Sequence, residues 1–388
     1  MILGASYSQL PLYEAARKLG AATVAASTPG DWPGFAVADE SVYADITNPE
    51  AILKAAQEKG IDGIATCCLD AGVRALGYTC EKMGLIGPSA RAADISNDKF
   101  KMKEAFMAGG VQCARHICIH SLEEALEKLE FPVVLKAVDL MGSRGIFRCN
   151  TREETFFYYN KTMEATRKDY CLVEEFIEGQ VLGCEAMIRD GKLLYCLPNN
   201  IEAFQSYVPT PIGHSVPYRK QEELGAEVRH QVELAIKAVG LDNCPVNCDL
   251  IEKDGKIYVI EITGRAGGTC LPEMVSIYYG INYYEAIVRL ALGMDVEEMF
   301  RGKTSGVANL SRTLLSEKDG VVKAIHNENE PAEDIVDLSF NIAPGEEVHH
   351  YTNGRDRLGQ VILQGESLES CEKRLQEILS KINIEFTV

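Results

Sequence analysis

Two carboxylates, Asp249 and Glu261, lie in adjacent segments whose composition predicts β-strands, 246–251 and 256–262. Both segments are apolar or β-branched, and Asp254-Gly255 between them is a turn signal. A carboxylate inside a strand that buries its other side chains is costly unless it is paired or binds a metal. Two carboxylates on one face of a hairpin are suitable ligands for Mg²⁺, which prefers oxygen atoms and shares them with phosphates. The alternative is an edge hairpin whose acids are solvated.

The turn decides whether these two carboxylates meet. Asp249 and Glu261 are equally distant from Gly255, so an odd number of turn residues places them opposite each other on one face. We therefore expect a three-residue loop with Gly255 in the left-handed region, because a two-residue loop would put the carboxylates on opposite faces. Arg265 follows four residues after Glu261 and begins a Gly-rich stretch where the backbone can approach an anion.

A second group of residues suits phosphate binding. The apolar strand predicted at 131–136 ends in Lys136, and the Gly-containing loop 137–145 leads into the next strand, 146–149. Backbone N–H groups in such a loop can hold phosphate oxygens beside the point charge of Lys136. The P-loop pattern is absent, and an ordinary hairpin is the alternative interpretation. Lys99, in the first turn of a predicted helix, opposes the helix dipole unless an anion lies nearby; a solvated surface lysine is the competing interpretation.

Length and composition limit the class of protein. The chain has 388 residues, which is too long for one ordinary core, so two or three domains are expected. Its net charge of −18 argues against nucleic acid or an anionic membrane as the main partner. The 13 cysteines have no metal-binding spacing, so we expect reduced thiols rather than a zinc site. The sequence shows neither a signal-peptide pattern nor a long apolar run, and we therefore expect a cytoplasmic protein.

The elements that must position these residues fall into three parts. Strands and helices alternate over residues 1–95, which predicts a parallel α/β half-domain. Antiparallel hairpins dominate residues 96–304, which predicts an α+β core. Short strands and a final amphipathic helix predict a small α/β cap over 305–388.

The order in which the candidate residues follow one another resembles the ATP-grasp superfamily, over roughly residues 1 to 300. The matching residues are Asp98-Lys99 at a helix start, Lys136 before a Gly loop, the acidic strand 173–179, Asp249, Glu261 and Arg265. Within the superfamily, the chain is most similar to the carboxylate–amine ligases that join amino acids. The resemblance implies that ATP lies between two α+β subdomains of the core, one of them a lid subdomain over about 115–190.

The same resemblance implies a role for each of these residues. The implied phosphate ligands are Lys99, Lys136 and a mobile lid that includes Gly142, Ser143 and Gly145. The implied residues of the adenine slot, partly through backbone atoms, are Glu174, Glu175 and Ile177. Asp249 and Glu261 would hold two Mg²⁺ ions, and Mn²⁺ is left open as a substitute. Arg265 would face the γ-phosphate or an acyl phosphate.

Three positions depart from the family pattern. Thr263 occupies the place where the family usually has an asparagine ligand of the metal, and a hydroxyl is a weaker ligand. Asp249 stands where glutamate is common, which shortens its reach. Val181 replaces the usual acidic ligand of the ribose, so either Glu185 substitutes for it or the ribose is held less tightly.

The implied chemistry converts a carboxylate and ATP into an acyl phosphate, which an amine then captures with release of phosphate. The expected ligands are ATP, Mg²⁺, a small carboxylate such as an amino acid, and an amine; nucleic acid and membrane are not expected partners, and a homodimer is left open. His214, in the loop predicted at 209–217, would assist deprotonation of the amine, with a structural hydrogen bond as the alternative. Two other functions are kept: a carboxylase or carbamoyl-phosphate-type subunit, and a non-catalytic ATP-binding module.

Overall fold

The structure is a computed structural model that describes residues 1–122, 130–140, 144–204, 210–302, 304–352 and 356–387. The chain begins with a three-stranded parallel sheet in the order β1-β2-β3, flanked by helices. Its elements are β1 (Ile2–Leu3), α1 (Leu10–Lys18), β2 (Val24–Ser27), α2 (Pro33–Val37), β3 (Glu40–Tyr43), α3 (Pro49–Lys59) and α4 (Val73–Met83). A parallel bridge from Ile2 to Ala65 extends the sheet beyond β1. The predicted parallel α/β half-domain is confirmed.

Two short helices, α5 (Ala90–Ser96) and α6 (Lys99–Ala108), connect this sheet to the rest of the chain. The side chain of Asp98 caps α6, because its carboxylate accepts the N–H groups of Phe100 and Lys101 at 3.1 Å each. This cap fixes Lys99 in the first turn of α6, where the first backbone N–H groups are.

A four-stranded antiparallel sheet follows, in the order β4-β7-β5-β6, with one helix packed against it. Its elements are β4 (His116–Ile119), β5 (Val133–Lys136), β6 (Ile146–Cys149), α7 (Arg152–Ala165) and β7 (Cys171–Glu175). Alternating apolar residues of these strands form a small core of their own with α7. This sheet ends at Glu175, and the next strand, Gln180–Arg189, belongs to another sheet, so the limits of the smaller subdomain stay a prediction.

The largest sheet has eight strands in the order β12-β11-β8-β9-β10-β13-β17-β15. Its first five strands and their helices are β8 (Gln180–Arg189), β9 (Lys192–Phe204), β10 (Thr210–Val216), α8 (Gln221–Val239), β11 (Cys244–Lys253), β12 (Lys256–Thr263), α9 (Leu271–Tyr279), α10 (Tyr283–Ala291) and α11 (Glu297–Phe300). Every pairing in this sheet is antiparallel. The mixed α/β and α+β architecture expected from the sequence is therefore confirmed.

The last part of the chain completes the eight-stranded sheet and adds a three-stranded one, β16-β14-β18. Its elements are β13 (Ala308–Leu315), β14 (Gly320–Asn327), β15 (Ile335–Phe340), β16 (Glu347–Val348), β17 (Arg357–Gly365), α12 (Leu368–Leu379) and β18 (Ile382–Thr387). Because β10 pairs with β13, the sheet is continuous across residue 304, and the domain limits remain a proposal. Within the described residues, no helix has the length and apolar character needed to cross a bilayer.

The two faces of the large sheet differ, and this difference positions the site. Along β11, Val246, Cys248 and Leu250 point into a core formed with α8. Successive side chains of a strand point to opposite faces. Asn247 and Asp249 therefore project from the other face, toward the N-terminal sheet and the small sheet.

Candidate functional site

A cavity of about 200 Å³ lies between the small sheet and the large sheet. It gathers charged side chains from four separate stretches of the chain. These are Lys99, Lys103, Lys136, Glu174, Glu175, Asp249 and Glu261, together with the apolar residues Ile146, Ile177, Val181, Leu182, Ile201 and Ile251. An apolar cleft with charged groups at one end is suited to a base and its phosphates.

The hairpin β11–β12 brings Asp249 and Glu261 together, but not by the expected route. Asp254 and Gly255 both have positive φ values, 52° and 75°, and form a two-residue turn between the paired residues Lys253 and Lys256. The three-residue loop predicted from the sequence is therefore wrong. A β-bulge at residue 260 supplies the extra residue, so Asp249 pairs with Glu261 and both line the cavity.

The charges around this pair favour a divalent cation. Burial, and then the neighbouring Glu261, raise the pKa of Asp249 to about 7. Arg265 and then Lys99 are the cations that lower the pKa of Asp249 most, and Arg265 is itself paired with Asp70. The Nζ of Lys99 lies 3.3 Å from Glu261 Oε2 and also donates to the carbonyl of Leu140 at 2.7 Å. The carboxylates of Asp70, Asp249 and Glu261 thus face two cations, which leaves a negative charge that a metal ion can neutralise. Among the described residues, no group of three or more His, Cys, Asp or Glu side chains is placed to hold a metal.

Thr263, the third predicted metal ligand, lies at the end of β12 opposite Asn247. Its hydroxyl is buried and makes no hydrogen bond of normal geometry within the described residues, although it helps to lower the pKa of nearby Asp70. An oxygen atom in this position can still bind a ligand. The role of Thr263 as a metal ligand remains a prediction.

Arg265 joins the end of the hairpin to the N-terminal sheet. Its Nε and Nη2 donate to the two carboxylate oxygens of Asp70, each at 2.8 Å, and its Nη1 donates to Asn247 Oδ1 and to the carbonyl of Ala266. Burial would raise the pKa of the Asp70 carboxyl, but Arg265 holds it below its ordinary value. Arg265 is not among the residues that line the cavity. Asp70 is far away in sequence, and local patterns gave no signal for it.

Lys136 and Glu174 form a buried pair in the cavity. The Nζ of Lys136 donates to Glu174 Oε2 at 2.7 Å. Burial alone would raise the pKa of Glu174, but Lys103 and Lys136 together lower it to about 2. The sequence analysis missed Lys103, although its position one helical turn after Lys99 was a signal that both side chains share a face of α6.

The remaining predicted nucleotide contacts lie at the edge of this cavity. The carboxylate of Glu175, another residue that lines the cavity, is paired with Arg115, whose Nε lies at 2.6 Å. Ile177 lines the cavity just after β7. Gly145 has φ 66°, and its carbonyl accepts the N–H of Ala137 at 2.9 Å, closing the loop. Two further predicted lid residues, Gly142 and Ser143, lie outside the described residues.

Glu185 does not line the cavity. It is fully buried beneath the Gly-rich stretch, where its two carboxylate oxygens accept the N–H of Gly267 at 3.1 and 3.2 Å and Oε1 also accepts from Asn247 at 2.8 Å. Burial raises the pKa of Glu185 to about 8. This position supports the loop after Arg265 and does not favour a contact with a ribose.

His214 lies in the interior of β10, between β9 and β13, so the loop predicted for it is wrong. Its Nδ1 lies 2.9 Å from Asn199 Oδ1. Burial lowers the pKa of His214 to about 4, which makes it a neutral and weakly basic group at pH 7. The residue is outside the cavity that holds Lys136 and Asp249.

A cavity between two sheets, with paired carboxylates on one wall and lysines on the other, defines an ATP-dependent ligase of the ATP-grasp class. Family comparison agrees: residues 96–269 match the ATP-grasp domain model, and residues 312–387 match the model of L-amino acid ligase C-terminal domain 2. The structure of phosphoribosylglycinamide synthetase from Anaerococcus prevotii is 40% identical, with a TM-score of 0.85 over 100% of this chain and 98% of that one.

Two further relatives have lower identity. L-amino acid ligase from Bacillus licheniformis has a TM-score of 0.86 at 20% identity, over 100% of this chain and 98% of that one, and this likeness concerns the fold. Alanine–anticapsin ligase from Bacillus subtilis is 25% identical over 64% of this chain and 58% of its own length. The chain belongs to the ATP-grasp ligases, a family that uses ATP and generally a divalent metal.

Proposed function

We propose that this enzyme joins an amino acid, through its carboxylate, to the amine of a second small molecule, with ADP and phosphate as products. The observation that carries the proposal is the facing pair Asp249 and Glu261, which the bulge at residue 260 aims into a cavity that also holds Lys99 and Lys136. The likeness of the last part of the chain to the C-terminal domain of L-amino acid ligases supports an amino acid as one substrate.

The first step forms one bond and breaks another at phosphorus. A carboxylate oxygen of the amino acid attacks the γ-phosphorus of ATP, the bond to the bridging oxygen breaks, and ADP leaves. Mg²⁺, as two ions or replaced by Mn²⁺, would be held by Asp249 and Glu261 with Thr263 beside them, and it would neutralise the phosphate charge. Lys99 and Lys136 bind and orient the phosphate oxygens by charge.

The second step transfers the acyl group to the amine. The amine nitrogen attacks the carbonyl carbon of the acyl phosphate, phosphate leaves with the bonding electrons, and the proton that the nitrogen loses passes to the leaving phosphate. We assign Arg265 to the departing phosphate; the contacts of its guanidinium with Asp70 and Asn247, which fix its plane, support this role. His214 is a weak base because its pKa is lowered, so we assign it a hydrogen-bonding role with Asn199 rather than the removal of a proton.

A second candidate within the same reaction class is the synthesis of phosphoribosylglycinamide, which the name of the Anaerococcus prevotii relative favours. It also joins a carboxylate to an amine, and the two candidates differ in the amine. The carboxylase or carbamoyl-phosphate alternative requires ATP turnover that depends on bicarbonate. The non-catalytic alternative requires nucleotide binding with no turnover.

Phosphate release over a matrix of amino acids and amines, with Mg²⁺ and ATP, separates these functions. We expect phosphate release to require both an amino acid and an amine, with ADP as the nucleotide product identified by chromatography. The variant Asp249→Asn is the matched control for contaminating activity. AMP as the product of a productive pair, or turnover with bicarbonate alone, would contradict the proposal.

Assembly as a homodimer and a cytoplasmic location remain predictions; light scattering tests the first and fractionation of cells tests the second.

A further inference from the structure

Lys103 is a third cation in the nucleotide cavity, and the reaction steps above give it no role. It lies in α6, one turn after Lys99, and only 1% of its surface is exposed. Its Nζ lies 3.2 Å from the carbonyl oxygen of Val259 and 5.8 Å from the centre of the Phe106 ring. A lysine buried to this degree needs a counter-charge.

The counter-charge is Glu174, which Lys103 shares with Lys136. Lys103 Nζ lies 3.4 Å from Glu174 Oε1, and Lys136 Nζ lies 2.7 Å from Glu174 Oε2. One carboxylate thus faces two ammonium groups, and all three side chains line the cavity. The trio carries a net positive charge at the end of the cavity where the phosphates would bind.

We propose that Lys103 is a positioning residue for the nucleotide phosphates: it neutralises Glu174, so that the charge of Lys136 acts on the phosphates. Without Lys103, Glu174 would neutralise Lys136 directly, and the pair would present no net charge to an anion. With Lys103 present, Glu174 holds Lys136 in place without cancelling its charge. This inference rests on the proposed function only in that the cavity binds ATP.

The inference predicts an effect that depends on phosphate. Lys103→Met keeps most of the buried stem and removes the charge. We expect this variant to bind a Mg²⁺ complex of a non-hydrolysable ATP analogue about tenfold more weakly, while its affinity for adenosine stays within about threefold of the parent. Calorimetric titration of both ligands measures the two affinities without any acid or amine substrate.

The matched control is Lys101→Met. Lys101 is two residues away on the same helix and carries the same charge, but its side chain is exposed and pairs with Asp94 at 2.6 Å. Its replacement should leave both affinities unchanged. A uniform effect of net charge would instead weaken nucleotide binding in both lysine variants.

A double variant tests whether Lys103 acts through Glu174. In Lys103→Met/Glu174→Gln the carboxylate is gone, so Lys136 regains its charge and the double variant should bind the analogue more tightly than Lys103→Met does. Lys103→Arg keeps the charge and should also bind the analogue like the parent. If Lys103→Met does not fold, as judged by circular dichroism, the comparison of the parent with Lys103→Gln replaces it, with the same expected loss.

Three outcomes would overturn the inference. Parent-like analogue binding by the variants without the charge would show that Lys103 does not act on the phosphates. An equal loss of adenosine and analogue affinity would indicate a distorted cavity. A double variant that binds as weakly as Lys103→Met would show that Glu174 is not the intermediary. If instead the proposed ligase function is wrong, the parent protein would still bind the nucleotide analogue, but no pair of amino acid and amine would give turnover. The two failures can therefore be told apart.

Discussion

Replacing Glu185 with glutamine should stabilise the protein, and should do so increasingly as the pH rises. Glu185 is fully buried and accepts hydrogen bonds from the N–H of Gly267 and from the side chain of Asn247. Burial nevertheless raises its pKa to about 8, because desolvation of the ionised form outweighs these hydrogen bonds. Glutamine retains an acceptor oxygen at similar volume and cannot ionise.

The raised pKa of Glu185 sets both the sign and the size of the effect. The folded protein keeps the proton after the unfolded chain has lost it, so the stabilisation is complete below a pH of about 4.5 and is lost as the pH rises through about 8. One pKa unit corresponds to about 1.4 kcal/mol. Ionised Glu185 therefore costs the folded state roughly 4 to 5 kcal/mol at about pH 9, of which about 3 kcal/mol arises above about pH 6.

Urea unfolding of the parent and of Glu185→Gln at about pH 6 and about pH 9 measures this cost. Other titrating groups are common to both proteins, so the difference in free energy of unfolding reports Glu185 together with its electrostatic interaction with Asp249. Glu178→Gln, at an exposed position, is the control and should show no pH-dependent difference. If Glu185→Gln differs from the parent by the same free energy of unfolding at both pH values, the difference comes only from burying an amide in place of a carboxyl group. In that case the argument from desolvation is wrong.

Three further experiments test the catalytic end of the cavity. Asp249→Asn or Glu261→Gln should lower turnover by orders of magnitude and raise the Mg²⁺ concentration at half-maximal phosphate release; parent-like Mg²⁺ titrations would show that they are not ligands. Thr263→Asn should keep or lower that Mg²⁺ concentration, and a marked increase would place Thr263 outside the metal site. Asp70→Asn breaks the bidentate contact to Arg265, so kcat should fall about tenfold or more while KM for ATP changes little; an effect confined to KM would contradict a role for the guanidinium in transfer.

The sequence revealed those functional residues that differ in character from their neighbours along the chain. The carboxylates Asp249 and Glu261 stand out within apolar strands, and their side chains do line the cavity. Their facing arrangement was predicted for the wrong reason, because a turn signal defines the loop length but nothing in the sequence marks a bulge at residue 260. Lys103 could have been identified from its spacing to Lys99, because residues one helical turn apart share a face of the helix.

Contacts between distant segments were not readable in this way. Asp70 and Arg265 are separated by 195 positions, and nothing in the sequence near Asp70 indicates that it pairs with Arg265. Glu185 has the right chemistry for a ribose ligand, but the register of β8 against β11 turns it toward Asn247. His214 follows two prolines and a glycine, which predicted a loop, whereas pairing on both sides makes it part of a strand.

The eight-stranded sheet continues through residue 304, where the sequence predicts a boundary between two domains. Dividing the chain there would therefore break the sheet. Ending the chain near residue 304 would remove β13, the hydrogen-bonding neighbour of β10, and would expose the backbone of the strand that carries His214 as a bare edge. A shortened protein would invite intermolecular strand pairing and lose Ser311, whose hydroxyl supports the backbone at Thr269. We therefore expect the C-terminal segment and the nucleotide-binding part to fold only when they are expressed together in one chain.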